Sequence, residues 1–215
     1  METKQTQKAK KKKKAGSAKV THDEKRLEII ACCATLFDKV GYHGMSMQML
    51  ADEVGLGKPT LYHYFASKAD ILFEMHQLHL GAVNDSMDAE SAKASDPGEL
   101  LIKACAIALR EISQHPGYVR AFMEHYGDLE PEHREQIKKR REEYLARITS
   151  IITKGMESGQ FRKFDPKITT LSFLGMCNWA YKWYPRLAEQ TPPEQMAAQL
   201  CEVFLEGLKL PRLKK

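Results

Sequence analysis

The residues with the most chemical potential lie in one short stretch, 46–65, where polar side chains alternate with a helical apolar pattern. Lysine can donate to guanine O6 and N7, histidine can reach a base edge, and hydroxyls can bond phosphate oxygens. Such donors on one short helix are typical of a helix that enters the DNA major groove. The candidate DNA-binding residues are Ser46, Gln48, Lys58, Pro59, Thr60, Tyr62, His63, Tyr64 and Lys68.

Two short helices with a tight turn between them must position these side chains. Ser46 is a good N-cap for the first helix, and an apolar stripe follows it at helical spacing. Gly55 comes where that helix must stop, because glycine takes a left-handed C-cap conformation without steric cost. Pro59 suits the first turn of the second helix, and Leu61 and Phe65 hold that helix to a core. A plain helical hairpin is the competing interpretation.

The pattern resembles the DNA-binding domain of the TetR family of transcriptional repressors over residues 29–73. The resemblance implies an all-α homodimer of nine helices, with a three-helix DNA-binding head and a larger C-terminal ligand domain. It implies that Lys58, Pro59 and His63 read bases, and that phosphates are contacted by Ser46, Thr60, Tyr62, Tyr64 and Lys68. The chain departs from the family at Gly57, where serine is common and would supply a stronger cap. The resemblance rests on Ala34, Leu36, Phe37, Gly41, Tyr42, Ser46, Met47, Leu50, Ala51, Gly55, Leu56, 58–65, Ser67 and Lys68.

Composition narrows the class of protein. The chain has 215 residues, 43% of them hydrophobic, which is enough for one large or two smaller packed domains. Neither a secretory signal nor a membrane-spanning run is recognisable, so we expect a cytoplasmic protein without a membrane partner. Five cysteines without a C-x-x-C pair argue against a disulfide framework or a zinc site. Phosphate-loop, metalloprotease and nucleophile motifs are missing too, so we assign no catalytic residue, metal ligand or cofactor, and predict no enzyme.

Charge is concentrated at the N-terminus. Residues 1–20 hold eight lysines and one glutamate, whereas the whole chain has a net charge of +5. The remainder is therefore slightly acidic. Dense like charge with little to bury predicts disorder, and the segment could add salt-dependent affinity for phosphates or serve only solubility.

Caps and prolines divide the rest into nine helices. Thr21 to Glu24 form a capping box at the start of the first helix, and Gly41 ends it. We predict helices over about 47–53, 58–64, 67–90, 97–113, 116–126, 131–158, 166–185 and 193–207. The sequence thus divides into a tail (1–20), a helix-turn-helix head (21–66) and a ligand-binding and dimerisation domain (67–215).

The C-terminal part carries two sequence signals. Apolar stripes on helices eight and nine predict a four-helix dimer interface, which would set two recognition helices about one DNA turn apart and so require a near-palindromic operator. The stretch 174–184 with residues 191–208 resembles TetR-type regulators of fatty-acid and sterol catabolism, whose inducers are acyl-CoA thioesters. Core packing is the competing interpretation for its aromatics. The candidate ligand residues are Phe122, Met123, Met176, Asn178, Trp179, Lys182 and Trp183, with Met75 and Met156 as further possible lining residues.

The function predicted is that of a DNA-binding repressor that binds as a dimer and is released by a small hydrophobic effector. Two alternatives stay open. One is a metal- or redox-sensing repressor of the same fold, using the His76 and His79 pair or the Cys32 and Cys33 pair. The other is a non-specific nucleoid-associated protein driven by the lysine-rich tail. The basic residues at 138–141 could also bind coenzyme A phosphates, although mixed charge at helical spacing usually marks a solvated face.

Overall fold

The computed structural model describes residues 21–208, and the predicted disordered tail at 1–20 lies outside this range. Within it the fold is all-α, with nine α-helices and three short 3-10 turns. The helices are α1 (His22–Gly44), α2 (Met47–Glu53), α3 (Lys58–Tyr64), α4 (Lys68–Ser91), α5 (Pro97–Gln114), α6 (Pro116–Glu124), α7 (Pro131–Glu157), α8 (Pro166–Trp179) and α9 (Pro193–Leu208). The 3-10 turns are Tyr126–Asp128, Ala180–Lys182 and Tyr184–Arg186.

The sequence signals that delimit the first helices are confirmed. Thr21 and Glu24 form the capping box at the start of α1, and the Ser46 hydroxyl accepts from the Met49 amide at the start of α2. Gly55 adopts φ 64° in the turn before α3, the left-handed conformation that favours glycine. Gly57 caps α3 without a side-chain hydrogen bond, as its residue type predicts.

The buried apolar residues form two cores. The first joins α1, α2 and α3 to the N-terminal half of α4, with Leu50, Leu61 and Phe65 buried at its centre. The second joins the C-terminal half of α4 to α5, α7, α8 and α9. We call the first three helices the head and the remainder the body, with α4 passing from one core into the other.

The last turn of α1 departs from the simple stripe that its sequence predicts. Gly41 has φ 75° and breaks the helix, so the final turn takes a new direction towards α6. Leu27 and Val40, although they continue the apolar spacing, are about half exposed, whereas Ile29 and Cys33 are fully buried. Packing against α6 shifts the buried face of α1 away from the face that spacing alone favours.

The predicted extent of helix eight is wrong. We expected an α-helix up to Pro185, but α8 ends at Trp179 and two 3-10 turns follow. Proline at 185 disfavours the α conformation of the residue before it, and the Tyr184 side chain is buried instead, with its hydroxyl donating to the Thr191 carbonyl. Trp179 and Trp183, although four residues apart, therefore do not lie on one face of a continuous α-helix.

Candidate nucleic-acid interface and effector cavity

The predicted DNA-binding residues lie mainly on one solvent-exposed surface of the head. Leu61 and Phe65 point into the core, which leaves the other side of α3 free. Tyr62 is 44% exposed. The α3 helix packs on α2. The exposed members of the predicted set are Ser46, Gln48, Lys58, Pro59, Thr60, Tyr62 and His63.

Two of the exposed polar groups already have partners within the head. Gln48 Nε2 donates to Asp52 Oδ1 at 2.8 Å, across one turn of α2. The Ser46 hydroxyl accepts the Met49 amide as the cap of α2, which leaves its own proton available to a phosphate. A DNA contact through Ser46 is therefore compatible with its capping role, whereas Gln48 must release or share Asp52.

Tyr64 and Lys68 are half-buried, unlike the rest of the predicted set. The ring of Tyr64 stacks on His22 with centroids 4.8 Å apart, and its carbonyl accepts from Arg26. Lys68 Nζ donates to the carbonyls of Tyr42 and Met45 at 3.0 and 3.3 Å. One of the three ammonium protons of Lys68 remains for a phosphate, so its main visible role is to join α4 to the end of α1.

A cavity of about 490 Å³ lies in the body, within the range of small-molecule sites. It is enclosed by α4, α5, α6, α7 and α8, and most of its surface is apolar. Phe122 lies at the α4 side, where its ring packs against both His76 and His79. The residues lining the cavity are His79, Leu80, Val83, Ala108, Ile112, Val119, Phe122, Met123, Tyr126, Lys138, Arg141, Glu142, Tyr144, Leu145, Leu174, Cys177 and Asn178.

Arg141 is the principal charged group in the cavity wall. Its guanidinium lies over the rings of Phe122 and Tyr126, 4.0 and 4.5 Å from their centroids, and donates to the Phe122 carbonyl. Burial lowers the pKa of Arg141, although arginine stays protonated. Its Nε is buried and has no hydrogen-bond partner among the described residues. A buried donor of this kind is costly unless a ligand or water supplies an acceptor.

The two buried histidines of α4 belong to no group of three potential metal ligands among the described residues. His76 Nδ1 bonds the Leu72 carbonyl at 2.9 Å, and burial is the main cause that lowers the pKa of His76 to about 4. His79 lines the cavity, with Nδ1 3.5 Å from Glu111 Oε2. The three-ligand group that the structure brings together within the described residues consists of His43, His125 and Asp128.

The cysteines give the redox alternative little support. Burial raises the pKa of Cys33 strongly, and desolvation with nearby acidic residues raises that of Cys32. The reactive form of cysteine is the thiolate, which a raised pKa disfavours. Both thiols are free in this structure.

Three of the predicted ligand residues line the cavity and four do not. Phe122, Met123 and Asn178 are lining residues. Met176, Trp179, Lys182 and Trp183 are not lining residues. Met75 and Met156 do not line the cavity either, because each is buried in one of the two cores.

The physical reasons for these misplacements are visible around the end of α8. Lys182 Nζ binds Glu124, whose carboxylate also accepts from the Tyr181 hydroxyl at 3.1 Å. Trp183 packs against the body core, and Trp179 is 63% exposed on the outer face of α8. The break in the helix after Trp179 sends the side chains of Lys182 and Trp183 in directions that an uninterrupted α-helix would not.

The sequence did not predict that His79 and Tyr144 line the cavity. It placed Arg141 only within a run of basic residues that could bind coenzyme A phosphates. Arg141 could not be recognised from the sequence because most charged residues at 138–143 face solvent. Only the fold shows that the Arg141 side chain packs inward against Phe122. The cavity lining from α5 was also missed, since alanine and isoleucine there read as ordinary core.

Comparison with known proteins identifies the family. Residues 29–75 match the family model of bacterial regulatory proteins of the tetR family. Residues 94–208 match the model of the tetracyclin repressor-like C-terminal domain. The chain belongs to the TetR family. It is therefore a DNA-binding transcriptional regulator, as the sequence predicted.

Individual relatives of this TetR-family chain agree in length and fold. It is 24% identical to the transcriptional regulator EthR of Mycolicibacterium smegmatis over 196 residues, 89% of each chain. The TetR-family regulator PfmR of Thermus thermophilus is 29% identical with a TM-score of 0.76, over 85% of this chain and 99% of that one. AibR, solved with isovaleryl coenzyme A and operator DNA, is 23% identical with a TM-score of 0.74, over 86% and 98% of the two chains. No helix of the described residues is long and apolar enough to cross a membrane.

Proposed function

We propose that this TetR-family regulator is a homodimeric, cytoplasmic repressor that a coenzyme A thioester releases from its operator. The observation that carries the proposal is the position of the cavity against α4. His79, Leu80 and Val83 of α4 line the cavity, and the same helix begins at Lys68, directly after the recognition helix α3. A ligand in the cavity therefore touches the helix that carries the DNA-binding head.

The cavity suits an apolar chain that ends in an acceptor group. Its walls are mostly aliphatic and aromatic, and the orphaned Nε of Arg141 offers a buried donor. An acyl chain would fill the apolar volume, and a carbonyl oxygen would satisfy the donor. AibR, which has the same fold, was solved with a coenzyme A thioester of a short branched acid.

The mouth of the cavity favours coenzyme A over a free acid. Lys138 and Glu142 line the cavity and are solvent-exposed, so the opening lies along this side of α7. The nucleotide part of coenzyme A is too large to enter with the acyl chain and must remain at the opening. Lys138, at this opening, would bind its phosphates.

The exposed surface of the head supports sequence-specific DNA binding. Lys58, Pro59 and His63 project from the free side of α3 and are the proposed base-reading residues. Ser46, Thr60, Tyr62 and the half-buried Tyr64 and Lys68 would contact phosphates and set the register. Gln48 lies at the edge of the same surface.

The outer face of α8 and α9 supports dimerisation. Ile168, Leu171 and Trp179 recur along α8 at helical spacing and are 65, 51 and 63% exposed, and Val203 of α9 is 79% exposed. The occupant we propose is a second copy of this chain, because these are the helices predicted to form a four-helix interface. Other apolar residues of the same two helices, namely Met196, Leu208 and Cys177, are buried within the subunit and lie outside this face.

Release then follows from a shift in equilibrium. A thioester that binds better when α4 is displaced favours a head spacing unsuited to two adjacent grooves. Typical couplings of about 1–3 kcal/mol weaken operator binding roughly 5- to 150-fold. The same ligand must then bind more weakly to the DNA-bound form by an equal factor.

The test is a thermal-shift and operator-displacement panel on the full chain, with an operator first selected from random duplexes. Acyl-CoAs of increasing length, the matching free fatty acids and coenzyme A alone are compared. We expect an acyl-CoA to raise Tm and to displace the operator, because a ligand that binds only the native state stabilises it. Stabilisation by free acids alone, or displacement without binding, would contradict the proposal.

Two neighbouring lysines give a matched control. Lys138→Ala should weaken acyl-CoA binding. Lys139 is an exposed residue of the same helix outside the cavity lining, so Lys139→Ala should leave this binding unchanged.

Deleting residues 1–20 distinguishes a sequence-specific regulator from a non-specific nucleoid-associated protein. A specific regulator keeps its preference for the operator over random DNA, whereas a nucleoid protein loses most of its affinity.

A further inference from the structure

His43, His125 and Asp128 lie together where the head meets the body. Asp128 Oδ2 is 2.9 Å from His125 Nδ1, and Asp128 Oδ1 is 3.5 Å from His43 Nε2. One potential ligand atom from each residue lies within 4.8 Å of the other two. Two imidazoles and one carboxylate, separated in sequence by some eighty residues, are thus brought close enough to share one ion.

We propose that these three residues form a binding site for a divalent transition-metal ion of the zinc class. Imidazole nitrogen and carboxylate oxygen bind Zn²⁺ at about 2.0–2.2 Å, so two ligand atoms on one tetrahedral ion are about 3.3 Å apart. Each imidazole lies near this distance from one of the two oxygens of Asp128, with His125 Nδ1 at 2.9 Å from Oδ2 and His43 Nε2 at 3.5 Å from Oδ1. Three protein ligands leave a fourth position for water.

The local fold explains how the ligands converge. Gly41, with φ 75°, breaks α1 and redirects its last turn, which carries His43, towards the end of α6. His125 is the C-cap of α6, and Asp128 follows three residues later at the end of a 3-10 turn. The sites of all three ligands are therefore fixed by helix ends and not by a long loop.

Tyr42 packs against both imidazoles and holds their orientation. Its ring centroid is 5.2 Å from that of His43 and 5.2 Å from that of His125. Tyr42 is buried, and His125 and Asp128 are 15 and 28% exposed, so these two ligands are held by packing. His43 is 75% exposed and gives an ion a route from solvent.

The group places one carboxylate, that of Asp128, beside two imidazoles, which is a ligand set that suits a cation. The nearest lysine described, Lys68, has its Nζ 4.6 Å from the Tyr42 ring centroid and donates to the backbone carbonyls of Tyr42 and Met45.

A bound ion would connect α1 of the head to α6 and the turn after it. This junction is separate from the effector cavity, because none of the three ligands lines it. Metal binding by the free protein does not depend on the proposed repressor function.

The experiment is a titration of the tag-free, chelator-treated full chain, without DNA, by calorimetry with Zn²⁺ and by absorption spectroscopy with Co²⁺. We expect one ion per chain, nitrogen and oxygen ligation in the Co²⁺ spectrum, and a rise in Tm. His43→Ala should weaken binding by more than about tenfold, since loss of even an outer-shell partner costs that much. His22→Ala removes an exposed histidine elsewhere in the chain, and this variant should bind the ion as tightly as the parent does.

Circular dichroism is the check that His43→Ala is folded, and we expect it to be folded because the His43 side chain is exposed. Asp128→Asn provides a second ligand variant of nearly unchanged shape, with the same expected loss. No saturable binding, unchanged affinity in His43→Ala, equal loss in His22→Ala, or a thiolate band in the Co²⁺ spectrum would each overturn the proposal. The first two results would mean that the group is a hydrogen-bonded cluster only.

Discussion

Gly117 of α6 lies directly against the backbone carbonyl of Ala34 in α1, with no room for a Cβ between them. Head and body are thus in close backbone contact at this point. Arg120 reaches across the same junction to Asp38, with Nη1 2.9 Å from Oδ1. Val119, Phe122 and Met123 of α6 also line the cavity, so α6 as well as α4 contacts both the cavity and the head.

Gly117→Ala should therefore destabilise the chain. An added methyl group would overlap the Ala34 carbonyl and force the two helices apart, and overpacking of this kind costs about 1–3 kcal/mol. Urea unfolding measures the change in the free energy of unfolding. Gly81→Ala is the control, because its added Cβ meets nothing within 4 Å and should stabilise α4 by up to about 1 kcal/mol. Equal stability of the two variants would contradict the close approach.

The recognition helix gives a prediction on specificity. His63→Ala should relax the preference at one base pair of the operator by about 1–3 kcal/mol, because a base contact is lost. Tyr62→Phe should weaken binding to all sequences by a similar factor, since only a phosphate contact is lost. Binding of single-base operator variants measures both effects. A uniform loss from His63→Ala would show that His63 contacts the backbone and not a base.

The outer face of α8 gives a prediction on assembly. Leu171→Glu should make the chain monomeric, because an unpaired carboxylate buried in an interface costs of order 3 kcal/mol, about 100-fold in Kd. Sedimentation velocity at several concentrations measures the change. Leu27 is also 51% exposed but lies on α1, so Leu27→Glu should leave the dimer intact. If both variants dissociate, or neither does, the proposed interface is wrong.

His76 gives a prediction on pH. Its pKa is lowered to about 4 by burial and by the nearby charges of Arg141 and His79, against an opposing bond to Leu72, whereas the unfolded chain has a value near 6.5. Between these values the unfolded state binds more protons, so this group's stabilisation is present above about pH 6.5 and is lost as pH falls to about 4. The loss is of order 3 kcal/mol.

The measurement is the free energy of unfolding in urea at several pH values between 4 and 7.5. The parent and His76→Leu are compared by the difference in this free energy at each pH. The variant should lose this part of the pH dependence, although its absolute stability also changes. His63→Ala, which removes an exposed histidine, should follow the parent curve. Parallel curves for the parent and His76→Leu would show that burial of His76 does not shift its titration.

Local signals predicted the head well and the effector site poorly. The Thr21 cap, the Gly55 turn and the inward pair of Leu61 and Phe65 act within a few residues, so the spacing of the sequence is enough to find them. The cavity depends on side chains from five helices, and Arg141 cannot be told from its solvated neighbours until α6 packs over it. The same holds for the end of α8, where burial of Tyr184 replaces regular helix.

The sequence by itself determined the helix order, the caps and the DNA-binding head, because capping, turn formation and apolar periodicity are short-range effects. Only the tertiary structure decided which polar groups face the cavity, that Trp179 lies on the outer face of α8, and that His43 meets His125 and Asp128. Those outcomes depend on how helices distant in sequence pack against one another. Their relative positions follow from close contacts such as that of Gly117 with Ala34, and no local pattern encodes them.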